Sequence, residues 1–324
     1  MRSLPDFIRL IRPVNMLIIA FTMYAMRWGV LYALYNKYEV PEGFAMSEGD
    51  FAISVVIMIL LAGAGNMIND YFDLKVDRVN KPDRIIVGRT VKRRVVMAAH
   101  HAFNIIATLL AIYLGMKYDR IWIVAFPISM AALLWFYSLT FQKKAWIGNF
   151  VVGLLVSVVP IWAGIVEVPA AEKAFTMLGG NGNELANDAW IWLFSYAGFA
   201  FWMTLIREVQ KDMEDVEGDR IEGYHTIPIE WGIKATRKYI NILYVILIIA
   251  CIVGAVGVRK EITEAGSFEM LVIIALVGIG LPAFLSWMYA RKASNKDQFA
   301  LASKWTKFTM AGGILIGALM SFWF

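Results

Sequence analysis

The chain has almost none of the residues that build thiol chemistry or soft-metal sites. One of its 324 residues is cysteine, Cys251, set inside an apolar run, so there is no intrachain disulfide and no thiolate metal centre. Histidine is nearly as scarce, at three residues, and no His or Cys stands at a spacing suited to joining the acidic residues around a metal. Charge is thin as well. Asp, Glu, Lys and Arg make up 18% of the chain against 59% hydrophobic residues, with a mean hydropathy of +0.60, which excludes a water-soluble domain of this length. No low-complexity segment and no second soluble domain is visible.

What is there is a series of long apolar runs. Crossing a hydrocarbon core of about 30 Å takes about 20 apolar residues as helix. Nine such segments stand near 14–35, 51–69, 95–115, 120–140, 147–167, 189–206, 238–258, 268–290 and 306–324. The first lacks a small-residue cleavage site and reads as a retained helix. Lys and Arg fall unevenly between the connecting segments, 24 on the side of the N-terminus and six on the other, with Arg27 inside the first segment. Bases gather on the cytoplasmic side of membrane proteins, so the N-terminus is expected there. The formal charge of +5 is then a signature of topology, with no nucleic-acid partner implied.

The acids are not scattered. In "NMINDYFDLKVDRVNKPDR", which directly follows the second apolar run, Asn69, Asp73 and Asp77 recur at steps of four. At about 100° per residue they share a helical arc of roughly 80°. Asn66 and Asn80 join it if the helix extends that far, and Pro82 should end it. In "LIREVQKDMEDVEGDR", between segments six and seven, Glu208, Asp212, Asp215 and Asp219 fall within roughly 60° of one face, while Glu214 and Glu217 point elsewhere. Four carboxylates on one face repel one another and call for a cation. One such cluster reads equally well as solvated surface; two, both at cytoplasmic ends of even-numbered helices four segments apart, suggest two walls of one cavity. Carboxylate and amide oxygens are hard ligands suited to Mg²⁺, which is typically shared with substrate phosphates. Basic residues nearby would clamp phosphate oxygens: Lys81, Arg84 and Arg89, Lys143 and Lys144 in "YSLTFQKKAWIGN", and Lys211. Each of them also serves the positive-inside bias.

These residues resemble the UbiA superfamily of intramembrane prenyltransferases. "NDYFDLKVDRVNKPDRII" fits its N-x-x-x-D-x-x-x-D motif, and "REVQKDMEDVEGD" is similar to its second Asp-rich motif. "RLIRPVN" near the start, with Arg12 and Asn15, and "GYHTIPIEWG" are similar to recurrent family stretches. The resemblance implies an all-α, single-domain bundle of nine transmembrane helices around a central cavity with a cytoplasmic polar cap, in the cell membrane. It implies Mg²⁺ held by Asn69, Asp73, Asp77, Glu208, Asp212, Asp215 and Asp219. Asp73, Asp77, Asp212 and Lys143 then become catalytic candidates, and Asn66, Asn69, Lys81, Arg84, Arg89, Tyr137, Lys144, Lys211, Arg12 and Asn15 substrate-binding ones. The implied reaction joins an isoprenyl diphosphate, geranylgeranyl diphosphate being the expectation, to a lipophilic acceptor amid membrane lipid. The paired motifs look closest to the branch that prenylates the hydroxyl of geranylgeranylglyceryl phosphate. An aromatic acceptor of quinone synthesis is the alternative, and a divalent-cation transporter the alternative of another class. Transporters place such acids near the bilayer midplane, whereas here they stand at helix ends beside bases. A phosphotransferase acting on cytidine-linked lipid alcohols is disfavoured because its D-x-x-D-G-x-x-A-R run is missing.

Elsewhere, His100, His101 and Asn104 read as helix-packing polar residues. His225 is either a substrate contact or an ordinary loop histidine. Arg27 either snorkels or reaches the cavity. The 168–188 linker reads as a flexible loop or a short surface helix, and "GGILIGALM" as a close helix contact.

Overall fold

The computed structural model describes residues 3–40, 43–80, 82–261 and 267–322. Among them there are helices and no strand. In chain order these are α1 (Ser3–Ile11), α2 (Pro13–Lys37, π-helical over Ala25–Leu31), α3 (Glu48–Phe72), α4 (Leu74–Asn80), α5 (Arg93–Lys117) and α6 (Ala125–Leu139). There follow α7 (Ile147–Gly164), α8 (Glu167–Met177), α9 (Gly182–Ile221), α10 (Ile227–Glu261), α11 (Phe268–Lys292) and α12 (Lys296–Leu319). Eight described segments are long and apolar enough to cross a membrane. The ninth expected segment, 306–324, overlaps α12, which is not among those eight.

Helix α9 is the hub. Its 40 residues, about 60 Å at 1.5 Å per residue, exceed a bilayer, so it runs on as one rod from the apolar 189–206 stretch through the acidic face. It packs against α7, α8, α10, α12, the short α4 and α2. Helices α3, α5 and α6 form a second group, with α3 against both others. The apolar windows of α2, α3 and α7 are more than half buried, whereas that of α11 is only 6% buried, leaving its flank for lipid.

Lipid is as apolar as leucine, so helices in a bilayer associate through close packing and polar contacts. Both are present. On α12 a Cβ at Gly312 would lie 1.9 Å from the Gly278 carbonyl oxygen, and one at Gly313 would lie 2.4 Å from Phe199. Gln210 of α9, Tyr244 of α10, Ser286 of α11 and Thr306 of α12 form a buried hydrogen-bonded network that ties four helices together. At the opposite end from the acidic clusters, Arg27 neither snorkels nor reaches the cavity. It is 1% exposed and donates to Glu167 (2.6 Å), to Glu48 (3.0 Å) and to the Met46 carbonyl (2.6 Å), between the rings of Phe44 and Phe51. Glu167 begins α8 and α9 starts at Gly182, so the 168–188 linker is helical except over 178–181 and is anchored by that ion pair. His100 is buried and bonded to the Ala64 carbonyl (3.0 Å), a packing role.

Candidate active site

The site begins where α3 stops. The helix closes at Asp73, whose backbone leaves helical values, and α4 restarts at once, with the Asp77 N–H donating to the Asp73 carbonyl at 2.9 Å. The step-of-four register of Asn69, Asp73 and Asp77 thus carries across the break, and α4 ends at Asn80, two residues ahead of Pro82. Asn80 is buried and fastens α4 to α9: its amide nitrogen donates to the Asp215 carbonyl (3.2 Å) and its amide oxygen accepts from the Gly218 N–H (3.1 Å). Only glycine permits this approach, because a Cβ at 218 would sit 2.5 Å from the Asn80 amide.

Both acidic motifs line one cavity of about 1470 Å³. Asn66, Asn69, Asp73 and Asp77 stand on one wall, and Glu208, Asp212, Asp215 and Asp219, all on α9, stand on the other. Glu214 and Glu217 are not on its lining. Arg12, Asn15, Arg89, Tyr137 and Lys211 line it too. Away from the acids the lining becomes apolar, with Met58, Leu61, Leu134, Leu155 and Val156 among its residues.

The acids are braced by neutral side chains. Asn69 and Gln142 both donate to Asp73, Asn69 also donates to Gln142 (3.1 Å), and the Tyr224 hydroxyl reaches Asp73 at 3.4 Å. On the other wall the Asn149 amide donates to Asp212 at 2.9 Å. Burial, then the charges of Asp77 and Asp70, push the Asp73 carboxyl up to about 7, against the opposing pull of the Gln142 hydrogen bond and the Lys211 charge. Tyr224 is raised by burial and by the Asp73 and Asp219 charges, so it remains a donor at neutral pH. Tyr137 lies within electrostatic reach of Glu208, Asp73, Asp212 and Arg12, between the two walls.

Arg12 occupies the left-handed region (φ 61°), where the following Pro13 disfavours a helical backbone, so the chain turns from α1 into α2. That turn delivers its guanidinium to Asp70 at 2.6 Å. Asn66 donates to the Ile11 carbonyl (2.9 Å) and secures the same corner to α3.

Two expected bases are placed elsewhere. Lys143 and Lys144 are exposed and do not line the cavity. The reason is a backbone pairing: the His225 N–H donates to the Lys143 carbonyl at 2.8 Å, which turns both lysines outward and leaves the Lys143 ammonium 5.6 Å from the Tyr224 ring centre. Gln142, one residue earlier, is the member of that loop on the lining. Lys81 and the side chain of Arg84 lie outside the described residues. His225 pairs with Glu230 at 2.5 Å and is not on the lining. Sequence reasoning passed over Gln142, Asn149, Tyr224, Arg207 and Lys307. The first three are neutral, and the last two disappear into the count of bases that sets topology.

The donor set suits a hard divalent cation shared with a ligand. Among the described residues no three His, Cys, Asp or Glu gather closely enough to hold a metal by themselves. Facing carboxylates with an unneutralised Asp73 are what a cation arriving with phosphate oxygens would complete.

Comparison with known proteins gives a consistent picture. The model of the UbiA prenyltransferase family matches residues 28–313. The digeranylgeranylglyceryl phosphate synthase of Methanothermobacter thermautotrophicus is 31% identical over 234 residues, covering 70% of this chain and 67% of the relative. That of Methanosphaera stadtmanae is 26% identical over 305 residues, 94% of each. Among solved structures, a digeranylgeranylglyceryl phosphate synthase superposes with a TM-score of 0.60 at 22% identity over 99% of both chains. A UbiA homologue from Archaeoglobus fulgidus, bound to DMAPP and Mg²⁺, gives 0.57 at 14% identity over 96% of this chain and 98% of its own. At these identities the structural likeness speaks for the fold.

Proposed function

The chain belongs to the UbiA prenyltransferase family, and from that premise we propose that it transfers a geranylgeranyl group from its diphosphate to the hydroxyl of geranylgeranylglyceryl phosphate, forming an ether lipid. As a family member it is a prenyltransferase and a multi-pass membrane protein. The observation that carries the reading is the meeting of Asp73 and Asp212, from helices far apart in sequence, on one cavity whose lining turns apolar beyond them. Relatives bearing the synthase name along nearly the whole chain support the choice of acceptor.

In this reading Asn69, Asp73 and Asp77 on one wall and Glu208, Asp212, Asp215 and Asp219 on the other are the residues that would hold Mg²⁺ for the diphosphate. Bound Mg²⁺ would neutralise the diphosphate and favour its departure. The protein supplies the rest. Gln142, Tyr224 and Asn149 fix the carboxylates that would otherwise splay apart. The allylic C–O bond breaks toward the polar end, while the prenyl chain lies among the apolar walls, where water that would quench an allylic cation is excluded. The Tyr137 ring, between the two acidic walls, offers a π-face to that developing charge. The acceptor oxygen then forms the new C–O bond and passes its proton to the diphosphate that the broken bond has freed. The surplus of Lys and Arg in the loops of the N-terminal side supports a cytoplasmic site in the cell membrane, and the family match along most of the chain supports one domain.

The test is prenyl transfer by the purified protein with geranylgeranyl diphosphate and Mg²⁺, offering geranylgeranylglyceryl phosphate and a dihydroxynaphthoate in parallel. An EDTA-sensitive ether product from the phosphate acceptor is expected. Product from the naphthoate alone would move the enzyme to quinone synthesis.

A further inference from the structure

Helix α9 presents two chemically opposite strips to the cavity. Beside the acidic one, and turned from its centre by roughly 50–110° at about 100° per residue, stand Thr204, Arg207 and Lys211, all on the cavity lining. Helix α12 adds Lys307, which also lines the cavity. The charges that act most strongly on Lys307 are Arg207 and Lys211, both of its own sign, followed by the opposing Glu208 and then Arg12.

The local pairing leaves Lys307 over. Glu208 is taken by Arg207 at 2.8 Å and by Lys211 at 3.1 Å, and Arg12 is taken by Asp70 at 2.6 Å. Lys307 has no hydrogen bond or ion pair among the described residues. Two donors are also buried without partners: the Arg207 Nε–H and the Thr204 hydroxyl, whose residue is 3% exposed. Like charges are not gathered and donors are not buried unpaired without cost, so the arrangement implies an anion that satisfies them.

That anion differs from the one the acidic strip receives. The carboxylates repel a bare phosphate and need a metal to accept it, whereas the basic strip takes a phosphate directly. A phosphomonoester carries nearly two negative charges and three acceptor oxygens, enough to take the Lys307 ammonium and the two unpaired donors at once.

We propose that Arg207, Lys211 and Lys307, with Thr204, form a second anion subsite that binds the phosphomonoester of the acceptor, next to the metal–diphosphate site. This rests on the prenyltransferase reading of the cavity and assigns the acceptor's charged end to named residues. The acidic and basic strips then sort the two substrates by charge: one anion arrives with its cation, the other without.

The experiment compares wild type with Lys307→Met, which keeps the apolar stem, and Lys307→Arg, which restores the charge, as full-length protein in nanodiscs. Two quantities are read: steady-state KM for each substrate with Mg²⁺ present, and equilibrium binding of geranylgeranylglyceryl phosphate and of its dephosphorylated alcohol without Mg²⁺ or diphosphate. Lys307→Met is expected to raise the KM and the metal-free Kd of the phosphate acceptor about 10- to 100-fold, the effect of losing a charged hydrogen bond. The KM for geranylgeranyl diphosphate should stay within about twofold, and Lys307→Arg should recover most of the loss. A rise in the diphosphate KM with the acceptor unaffected would give these cations to the diphosphate and overturn the proposal, as would unchanged constants for both. Equal binding of the phosphorylated and dephosphorylated lipid by wild type would overturn it too. Failure of wild type to prenylate the phosphate acceptor is a separate outcome that sinks the proposed reaction, and the metal-free binding pair still judges the subsite.

Discussion

Asn80→Ala is the substitution that most directly probes how the two acidic walls are held in register. The side chain makes two hydrogen bonds to the α9 backbone, 3.2 Å to the Asp215 carbonyl and 3.1 Å from the Gly218 N–H, at a buried position. Removing it deletes both bonds, while the two backbone groups keep their bonds within α9. At about 1–1.5 kcal/mol per bond, the loss is about 2–3 kcal/mol. Helix α4 has only seven residues, held otherwise by the buried Val76 and by the Lys296 ammonium on the Asn80 carbonyl (2.6 Å), so much of the cost falls on its docking and thus on Asp77. At 1.4 kcal/mol per tenfold, apparent Mg²⁺ affinity in the transfer assay should weaken by roughly 25- to 150-fold, while the melting temperature of the bundle moves little. Gly218→Ala should act on the same contact from the other side, since its Cβ would press 2.5 Å from the Asn80 amide. In the double variant that clash is gone, so the two effects should be strongly non-additive. Additive losses, or an Asn80→Ala enzyme with wild-type Mg²⁺ dependence, would refute the clasp.

Other consequences follow from the same geometry. The raised Asp73 carboxyl, about 7 in the metal-free protein, takes up a proton near neutrality, so ionising it costs stability as pH rises through the range above an ordinary carboxylate. The metal-free protein should therefore be more stable at pH 5 than at pH 8 in this respect. Mg²⁺ must displace that proton, so its affinity should fall about tenfold per pH unit below 7, which titration of binding against pH checks. Gln142→Ala, which strips a donor from Asp73 and a partner from Asn69, should lower kcat by at least tenfold, whereas Lys143→Ala should stay within about threefold of wild type, the reverse of what the positions of charge in the sequence suggest. Arg27→Met should lower bundle stability by about 3–5 kcal/mol by stranding Glu167, read as a thermal shift in detergent, with little change in the KM for either substrate.

The sequence carried the two acidic faces because helical spacing survives wherever the helix continues. It blurred α9 because hydropathy ends where a helix leaves the bilayer, near 206, while the helix itself runs to Ile221. The break at Asp73 was hidden for the opposite reason: the chain departs from helical values at one residue and resumes in register. Asn80 fell on the predicted arc, yet its two partners are backbone atoms of another helix, which no side-chain pattern records. Gln142 stood next to two lysines that drew attention by their charge, and the His225 pairing that turns them outward is long-range. Lys307 was legible only as one more base on the N-terminal side. Arg27 was visible as an anomaly within an apolar run, but its partners come from Glu48 and Glu167, far along the chain.

The central claim is that Asp73 and Asp212 together hold the metal–diphosphate. The measurement that tests it most directly is Mg²⁺-dependent prenyl transfer and geranylgeranyl diphosphate binding by Asp73→Asn and by Asp212→Asn, each checked for a wild-type melting profile in detergent. Each single change should reduce transfer by at least about a hundredfold, the scale of losing one charged ligand in a low-dielectric site, and should abolish Mg²⁺-stimulated binding of the diphosphate in a folded protein. Folded variants that retain wild-type transfer and Mg²⁺-stimulated binding would contradict the account.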